Sequence, residues 1–570
     1  MNRILKNVHV AFSTLFFILG AAFVATKEES VPLHFQIQNE FGKQNISLFE
    51  AEDGNCYVFL PSYSELDKVQ FILPPGQVFC LDDTRMSEKM TCEDFELEKP
   101  YAFSVDGEHV ADLWFYQSRN VATMYIDTAT GEMTEIHDDK THEEYASMTI
   151  YTVDGKIDHF DSRCKIKGRG NSTWTQDKRP YLLTLSSDES LLNMGSAQKW
   201  VLLANAYDET NMNNKLVFDL ASQVKFKWSP DSRFVDLYLN GEYSGLYLLA
   251  EKVEVHPNRL NIDISSGDFL CKVDTPSRIE QLKDYFKSSL GRIIEICTPN
   301  TPSDLEFDYI MHQIFLLEQE LVSGTDLTVS EIVDLDSWIR RYLIDEISGN
   351  IDSDLTSSYF YLFEGKFYAG PVWDYDMAFG NSYKNQEAWS FLAKNAFKRN
   401  NRPSPYYKAL YTNESFYNRM IEIYRTEFVP ILENMIGQDL NTQLDRIQYA
   451  SRMNSIRWQS MYDEWKQIND GMEIVQNRDG LIRYFVRRVS FLNSAWLEGK
   501  DYCTVQFESV PGNSYWNISI EKGDILETTY MDLVNTIWLD TKTGLPVDFL
   551  RPITEDMVVS RKIPEEISAE

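Results

Sequence analysis

Along this chain the hydrophobic repeat changes from a period of two to about 3.6 and back to two, which confines the fold to helices set between sheets. From about residue 31 to 110 the texture is that of strands. His34-Phe35-Gln36-Ile37 alternates, Cys56-Tyr57-Val58-Phe59-Leu60 is apolar throughout, and Pro74-Pro75-Gly76 marks a turn. Residues 111–300 mix strands and helices. Asn240-Gly241 between Val235–Leu239 and Tyr243–Leu249 predicts a hairpin with a type I′ turn, and Asp208 or Thr210 is placed to cap a helix through Leu216, Leu220 and Ala221. From 303 to 500 the chain reads as mainly helical. Leu335, Trp338, Ile339, Tyr342, Leu343 and Ile347 share one face, with Asp336 near the start and Gly349-Asn350 at the stop. A last amphipathic helix is expected near 478–498. Strands return after 501, at Thr504–Phe507, Trp516–Ile520 and Thr536–Trp538. The fold class is α+β.

A chain of 570 residues exceeds one compact core, so several domains are expected. Its 54 basic and 87 acidic side chains leave a net charge of −33. That balance argues against nucleic acid, which needs an excess of Lys and Arg to displace counterions, and against docking on anionic lipid. Residues 1–30 read as an export signal or N-terminal anchor: Arg3 and Lys6 precede an apolar run from Val8 to Ala25, which ends at Thr26-Lys27-Glu28-Glu29. The location this implies is extracytoplasmic, secreted or at the cell surface. No later stretch approaches membrane length. The seven cysteines contain no C-x-x-C pair. Cys56, Cys80 and Cys92 lie close enough in sequence for one disulfide, against the simpler reading of buried thiols. The eight histidines show no metal-site grouping.

The sharpest concentration of chemistry lies at 346–381. Asp352 follows the predicted helix stop. A hairpin comes next, with Tyr359–Phe363, a Glu364-Gly365 turn and Lys366–Ala369, and then Trp373-Asp374-Tyr375-Asp376. In an extended segment Asp374 and Asp376 would point to the same side and form a hard-oxygen site suited to Mg²⁺. The order Asp–hairpin–Asp is the one phosphotransfer uses, with one carboxylate at the incoming hydroxyl and the others on the metal. A second concentration is basic. Within 163–179 there are six basic residues and one acid, around Gly168-Arg169-Gly170-Asn171. Glycines allow close backbone approach to phosphate, and Arg or Lys supplies charge. Glu251, at the end of a hairpin strand, is a candidate partner for a lysine of this segment.

Together these segments resemble the CotH kinase family, named for spore-coat protein H, an atypical branch of the protein-kinase-like fold. The resemblance rests on Gly168–Trp174, on Lys199–Asn205 with Asp208, on Leu239–Tyr247, and on Gly370–Asp376 with Phe379-Gly380-Asn381. It implies an exported, bacterial, ATP- and Mg²⁺- or Mn²⁺-dependent kinase acting on protein Ser/Thr at a cell or spore surface. It assigns Asp352 to catalysis, Asp374 and Asp376 to the metal, and Arg169, Asn171 and Lys178, with Glu251, to the nucleotide side. The chain departs from the expected pattern at Thr184, Asn213 and Ser357, each losing a charge or a metal ligand. An inactive relative serving as a surface-binding protein is therefore the alternative. Residues 502–562 resemble a Listeria–Bacteroides repeat, a β-grasp-like module. The expected layout is a signal or anchor at 1–30, a small β-domain at 31–110, the kinase domain at 111–500 and the repeat module at 501–570.

Overall fold

A computed structural model describes residues 34–561 except 40–41, 351, 354, 382–397, 400–401, 404, 412, 469–474, 511–512 and 527–536. The N-terminal run read as a signal or anchor lies outside the described residues, and none of the described helices is long and apolar enough to cross a membrane. The architecture is mixed α+β. The chain forms two compact units, one of Met1–Leu60, Ser64–Tyr116 and Gly241–Tyr243, the other of Pro61–Tyr63, Gln117–Asn240 and Ser244–Glu570. The first unit carries a three-stranded and a six-stranded sheet with two 3₁₀ turns, Leu66–Lys68 and Cys92–Asp94. Phe35, Phe71, Phe95 and Phe115 meet ring to ring in its core. All seven cysteines are free thiols, so no disulfide joins Cys56, Cys80 or Cys92, and the buried-thiol reading holds for five of them while Cys80 and Cys297 are partly exposed.

The second unit begins with a closed seven-stranded barrel. Its strands are β1 (Ala122–Thr128), β2 (Glu143–Tyr151), β3 (Ile157–Gly168), β4 (Tyr181–Glu189), β5 (Ala197–Leu203), β6 (Ser232–Leu239) and β7 (Glu242–Glu251). A short helix, α1 (Thr134–Asp138), lies between β1 and β2. The order around the barrel is β1-β2-β3-β4-β5-β7-β6, closed by parallel pairing of β1 with β6. The near-continuous apolar runs of β5 and β7 follow from burial on both faces. Trp200, Leu202, Tyr247 and Leu249 fill the barrel, while Val201, Leu203, Leu246 and Leu248 turn outward onto a second core. Into that second core packs α2 (Asn213–Gln223), with Leu216, Val217, Leu220 and Ala221 buried.

The helical body carries a five-stranded antiparallel sheet of β8 (Phe269–Asp274), β9 (Tyr285–Lys287), β10 (Ile293–Thr298), β11 (Ser358–Phe363) and β12 (Lys366–Ala369), in the order β9-β10-β8-β11-β12. Against it lies α3 (Leu335–Ser348), buried from Ser337 to Ser348. Charged residues on so buried a helix must be paired. Arg340 takes Glu427, Arg341 takes Asp345, and Glu346 takes Arg488 from α4 (Arg478–Trp496). Asp334, rather than Asp336, caps α3 by accepting from Ser337 N at 2.8 Å, and Asp336 pairs with Arg419. A four-stranded sheet follows, built from Tyr502–Val510, Asn513–Glu521, Trp538–Asp540 and Met557–Arg561.

Candidate active site

The site starts where α3 stops. Gly349 takes the left-handed conformation at φ 60°, which only glycine adopts without strain, and its N–H closes back on the last turn. The chain then turns tightly through Asp352. Asp352 N donates to Asn350 Oδ1 at 3.1 Å, while Leu355 N and Thr356 N donate to Asp352 O at 3.0 and 3.3 Å. Two links tie this loop to the segment after the β11–β12 hairpin. Asp345, buried near the end of α3, accepts from Ser353 Oγ and from Tyr375 Oη, the latter at 2.7 Å. Ser357 Oγ donates to Asp374 Oδ2 at 2.8 Å. The carboxylates singled out from the sequence are thereby held in one neighbourhood.

Asp374 and Asp376 do not converge by strand alternation. The segment after Ala369 is irregular, and Asp374 sits at φ 70°, a left-handed conformation that a non-glycine residue keeps only when its surroundings enforce it. Enforcement comes from α2. Asn214 Nδ2 donates to Asp376 Oδ1 and Asn214 Oδ1 accepts from Tyr375 N at 2.9 Å. Asn213 Nδ2 donates to the carbonyls of Asp376 and Ala378 at 3.0 and 3.1 Å. Asn213 thus braces the loop that carries Asp374 and Asp376. Asp208 in turn holds the start of α2, accepting from Asn213 N at 2.8 Å and Thr210 Oγ1 at 2.5 Å.

Burial pushes the Asp376 carboxyl up to about 7, with the Asp374 charge adding and the Asn214 bond opposing. Burial likewise lifts Asp208 to about 6. A raised carboxyl binds its proton more tightly folded than unfolded, so without a cation these groups cost stability as pH rises from about 4 through their folded values. Asp376→Asn should therefore melt above wild type at pH 8 in chelator and alongside it near pH 4. Equal melting temperatures at pH 8 would remove the buried-charge account.

The basic segment is only partly an open face. Gly170 sits at φ 86° and Gly168 lies under the Trp174 indole, where an added Cβ would come within 2.3 Å of the ring. These glycines serve a turn and a ring contact inside the protein. Gly168→Ala should cost about 1–3 kcal/mol, the usual cost of overpacking, and Trp174→Ala on top should cost less than the two singles summed. Additive losses in denaturant melts would show that the indole is not what the glycine accommodates.

Arg169 lies 5.4 Å from the Trp373 ring centroid, with Asp374 and Asp376 as its charged neighbours and burial lowering its pKa. Asn171 lies beside it. With its amide turned as its neighbours favour, it accepts from Arg278 Nη1 at 3.0 Å and donates to Gln281 Oε1 at 3.3 Å.

Lys178 and Glu251 stand elsewhere. Lys178 is fully buried, and its ammonium donates to Leu246 O at 2.6 Å with Asp208, Asp236 and Asp376 as charged neighbours. Its side chain has no exposed surface and lies among carboxylates that include Asp376. Glu251 accepts from Gly195 N at 3.0 Å and Asp231 N at 2.9 Å, so both oxygens hold loops and none meets Lys178. The expected lysine partnership is therefore absent, because a buried carboxylate at a strand end is satisfied by the nearest backbone donors.

Sequence reading missed Asp345, Asn214 and Arg278. Asp345 lay on the helix whose face was read only for its apolar residues, and Arg278 sits in a 3₁₀ turn, Pro276–Gln281, with no motif around it.

No curated protein matches the chain, and nothing found supports the repeat-like resemblance of its C-terminal residues. The family model described as CotH kinase protein matches residues 166–492, more than half of the chain and the whole of the site from Arg169 to Asp376. This chain belongs to the CotH kinase family.

Proposed function

We propose that this chain is an ATP- and divalent-metal-dependent protein Ser/Thr kinase that acts outside the cytosol, with the barrel and the helical body as the two lobes of an atypical kinase-like fold. One observation supports the reading most. The Asp352 loop and the Asp374–Asp376 segment share Asp345 as a hydrogen-bond partner and meet directly through Ser357.

The donor set fits a hard cation. Two carboxylates from one short segment, one only 9% exposed, suit Mg²⁺ or Mn²⁺, which takes its other ligands from water and phosphate. Among the described residues no group of three or more His, Cys, Asp or Glu gathers. When bound, the cation neutralises charge on the transferring phosphoryl group. Asp352, half-exposed at the tip of its turn, orients a Ser or Thr hydroxyl of the protein substrate and takes its proton as that oxygen bonds to the γ-phosphorus and ADP leaves. Arg169 faces the phosphates from the barrel side. The apolar run at 8–25 directs this activity to proteins at a cell or spore surface.

A second reading, a surface-binding protein with weak or no catalysis, has one observation in its favour. Ser357 spends its hydroxyl on Asp374, at the position where ordinary kinases carry a metal-binding Asn. Incubating the full chain with labelled ATP and Mg²⁺ or Mn²⁺ separates the two. Metal-dependent label on the chain or on an added Ser/Thr protein supports the kinase. No label together with no ATP-induced rise in melting temperature leaves the binding protein.

A further inference from the structure

A cavity of about 830 Å³ opens on the outside of the barrel, over β1, β2, β3 and β4. Pockets that hold small molecules run from about 300 to 1,000 Å³. Arg169, Asp352, Asp374 and Asp376 are not among the residues that line it. Along β3 its nearest wall residue, Lys165, stands four residues before Arg169, about 13 Å of strand.

Strand alternation builds the floor. Ile126, Met148, Cys164 and Leu183 belong to the barrel core, so their neighbours Asp127, Ser147, Arg163 and Thr184 point outward. Pairing then sets the outward groups in rows. Asp127 lies opposite Ser147, and Ser147 opposite Arg163. Two residues along, Tyr145 lies opposite Lys165, and Lys165 opposite Thr184. Neighbouring strands are about 4.8 Å apart, so each row spreads its groups over about 10 Å. The concavity comes from a bulge, where the register of β2 on β3 shifts and Asp161 takes φ 46°. A bulge bends its strand and re-aims a side chain, and this one brings Asp161 into the wall near Asp127.

The wall carries charges of both signs that do not cancel one another. Lys165 pairs with Glu143 at 3.0 Å. Among the described residues the side chains of Asp127, Ser147, Asp161, Arg163 and Thr184 make no hydrogen bond or ion pair within the protein. Burial and the Asp161 charge raise the Asp127 carboxyl, and a hydroxyl donating to it favours its charged form. Tyr145 is 69% exposed, with the Lys165 ammonium 5.0 Å from its ring centroid, so most of the ring is open to a ligand. An anion entering here meets three carboxylates, and a cation meets Arg163 and Lys165. An uncharged ligand with many hydroxyls meets neither obstacle. A sugar ring has an apolar C–H face that stacks on an aromatic ring, and each hydroxyl on its rim both donates to a carboxylate and accepts from a guanidinium.

We infer that this cavity binds a neutral glycan, with Tyr145 stacked on one sugar ring and Asp127, Asp161 and Arg163 holding its hydroxyls. The site is separate from the carboxylates at 352–376 and does not depend on phosphotransfer.

The test is calorimetric titration of the full chain with maltopentaose, cellopentaose and mannopentaose, each up to about 5 mM. Pentagalacturonate serves as the anionic control and tetra-alanine as the zwitterionic one. At least one neutral pentasaccharide should bind saturably. Tyr145→Ala should weaken it by about 3–10-fold, the usual worth of one ring contact, and Arg163→Ala by about 10-fold or more, as for a lost charge-assisted hydrogen bond. Both side chains are exposed on a strand face, so melting temperatures without ligand should stay near wild type and the lost affinity reads the contact. No binding of any neutral pentasaccharide, or unchanged affinity in either variant, overturns the site. Tighter binding of pentagalacturonate or tetra-alanine than of every neutral sugar overturns the glycan. Competition by ATP would merge the cavity with the nucleotide side and overturn its separateness.

Discussion

Asp352→Asn should lower phosphotransfer by about 10²–10⁴-fold, the usual contribution of a positioned acid–base group, while leaving ATP affinity near wild type. Asp374→Ala should do different damage. On the proposed reading it removes a half-exposed carboxylate from the metal site, so turnover should fall by about 10³-fold or more and the Mg²⁺ dependence of ATP binding should weaken with it. The split matters because both residues sit in one hydrogen-bonded unit, through Asp345 and Ser357, and either variant disturbs the same loops. A fall in rate alone does not separate the roles, whereas a metal-binding defect confined to Asp374 does. Label persisting at the wild-type level in both variants would remove these residues from the reaction.

Arg488→Met should cost about 3–5 kcal/mol of stability, the usual result of stripping one partner from a buried ion pair. Arg488 and Glu346 are 1% and 0% exposed as side chains and meet at 2.9 Å, and Arg488 Nε also donates to Glu346 O at 2.7 Å. That carbonyl lies in the last turn of α3, where backbone acceptors lack partners within the helix and a cation is favoured. The pair therefore fastens α4 to the end of the helix that delivers the Asp352 loop. Replacing both residues, Arg488→Met with Glu346→Leu, should recover most of the loss, since no unpaired charge then remains buried. A loss below about 1 kcal/mol for Arg488→Met in denaturant titrations would contradict this account.

Local chemistry was legible where one residue type has few alternatives. Asn240 and Gly241 take φ 51° and 85°, as a type I′ turn requires, and Glu364-Gly365 does the same at 49° and 78°. Gly349 ends α3 where the sequence placed the stop. Reading failed where contacts come from far along the chain. The same-side argument for Asp374 and Asp376 assumed a strand, but Asn213 and Asn214, some 160 residues earlier, hold the segment in an irregular form. The burial of Lys178 was equally illegible, because its carbonyl partner Leu246 O lies 68 residues further on.

The order of periods, the turn pairs and the acidic and basic residues around 346–381 and 163–179 were determined by the sequence alone, since each depends on φ/ψ preference or side-chain type within a few neighbours. Only the tertiary structure decided which charges share a site. Arg278 carries no local signal, and it meets Thr356 solely because β8 and β11 pair side by side and bring its turn to that loop. Electrostatic partnership is set by distance in space and by burial, and neither quantity is written in spacing along a chain.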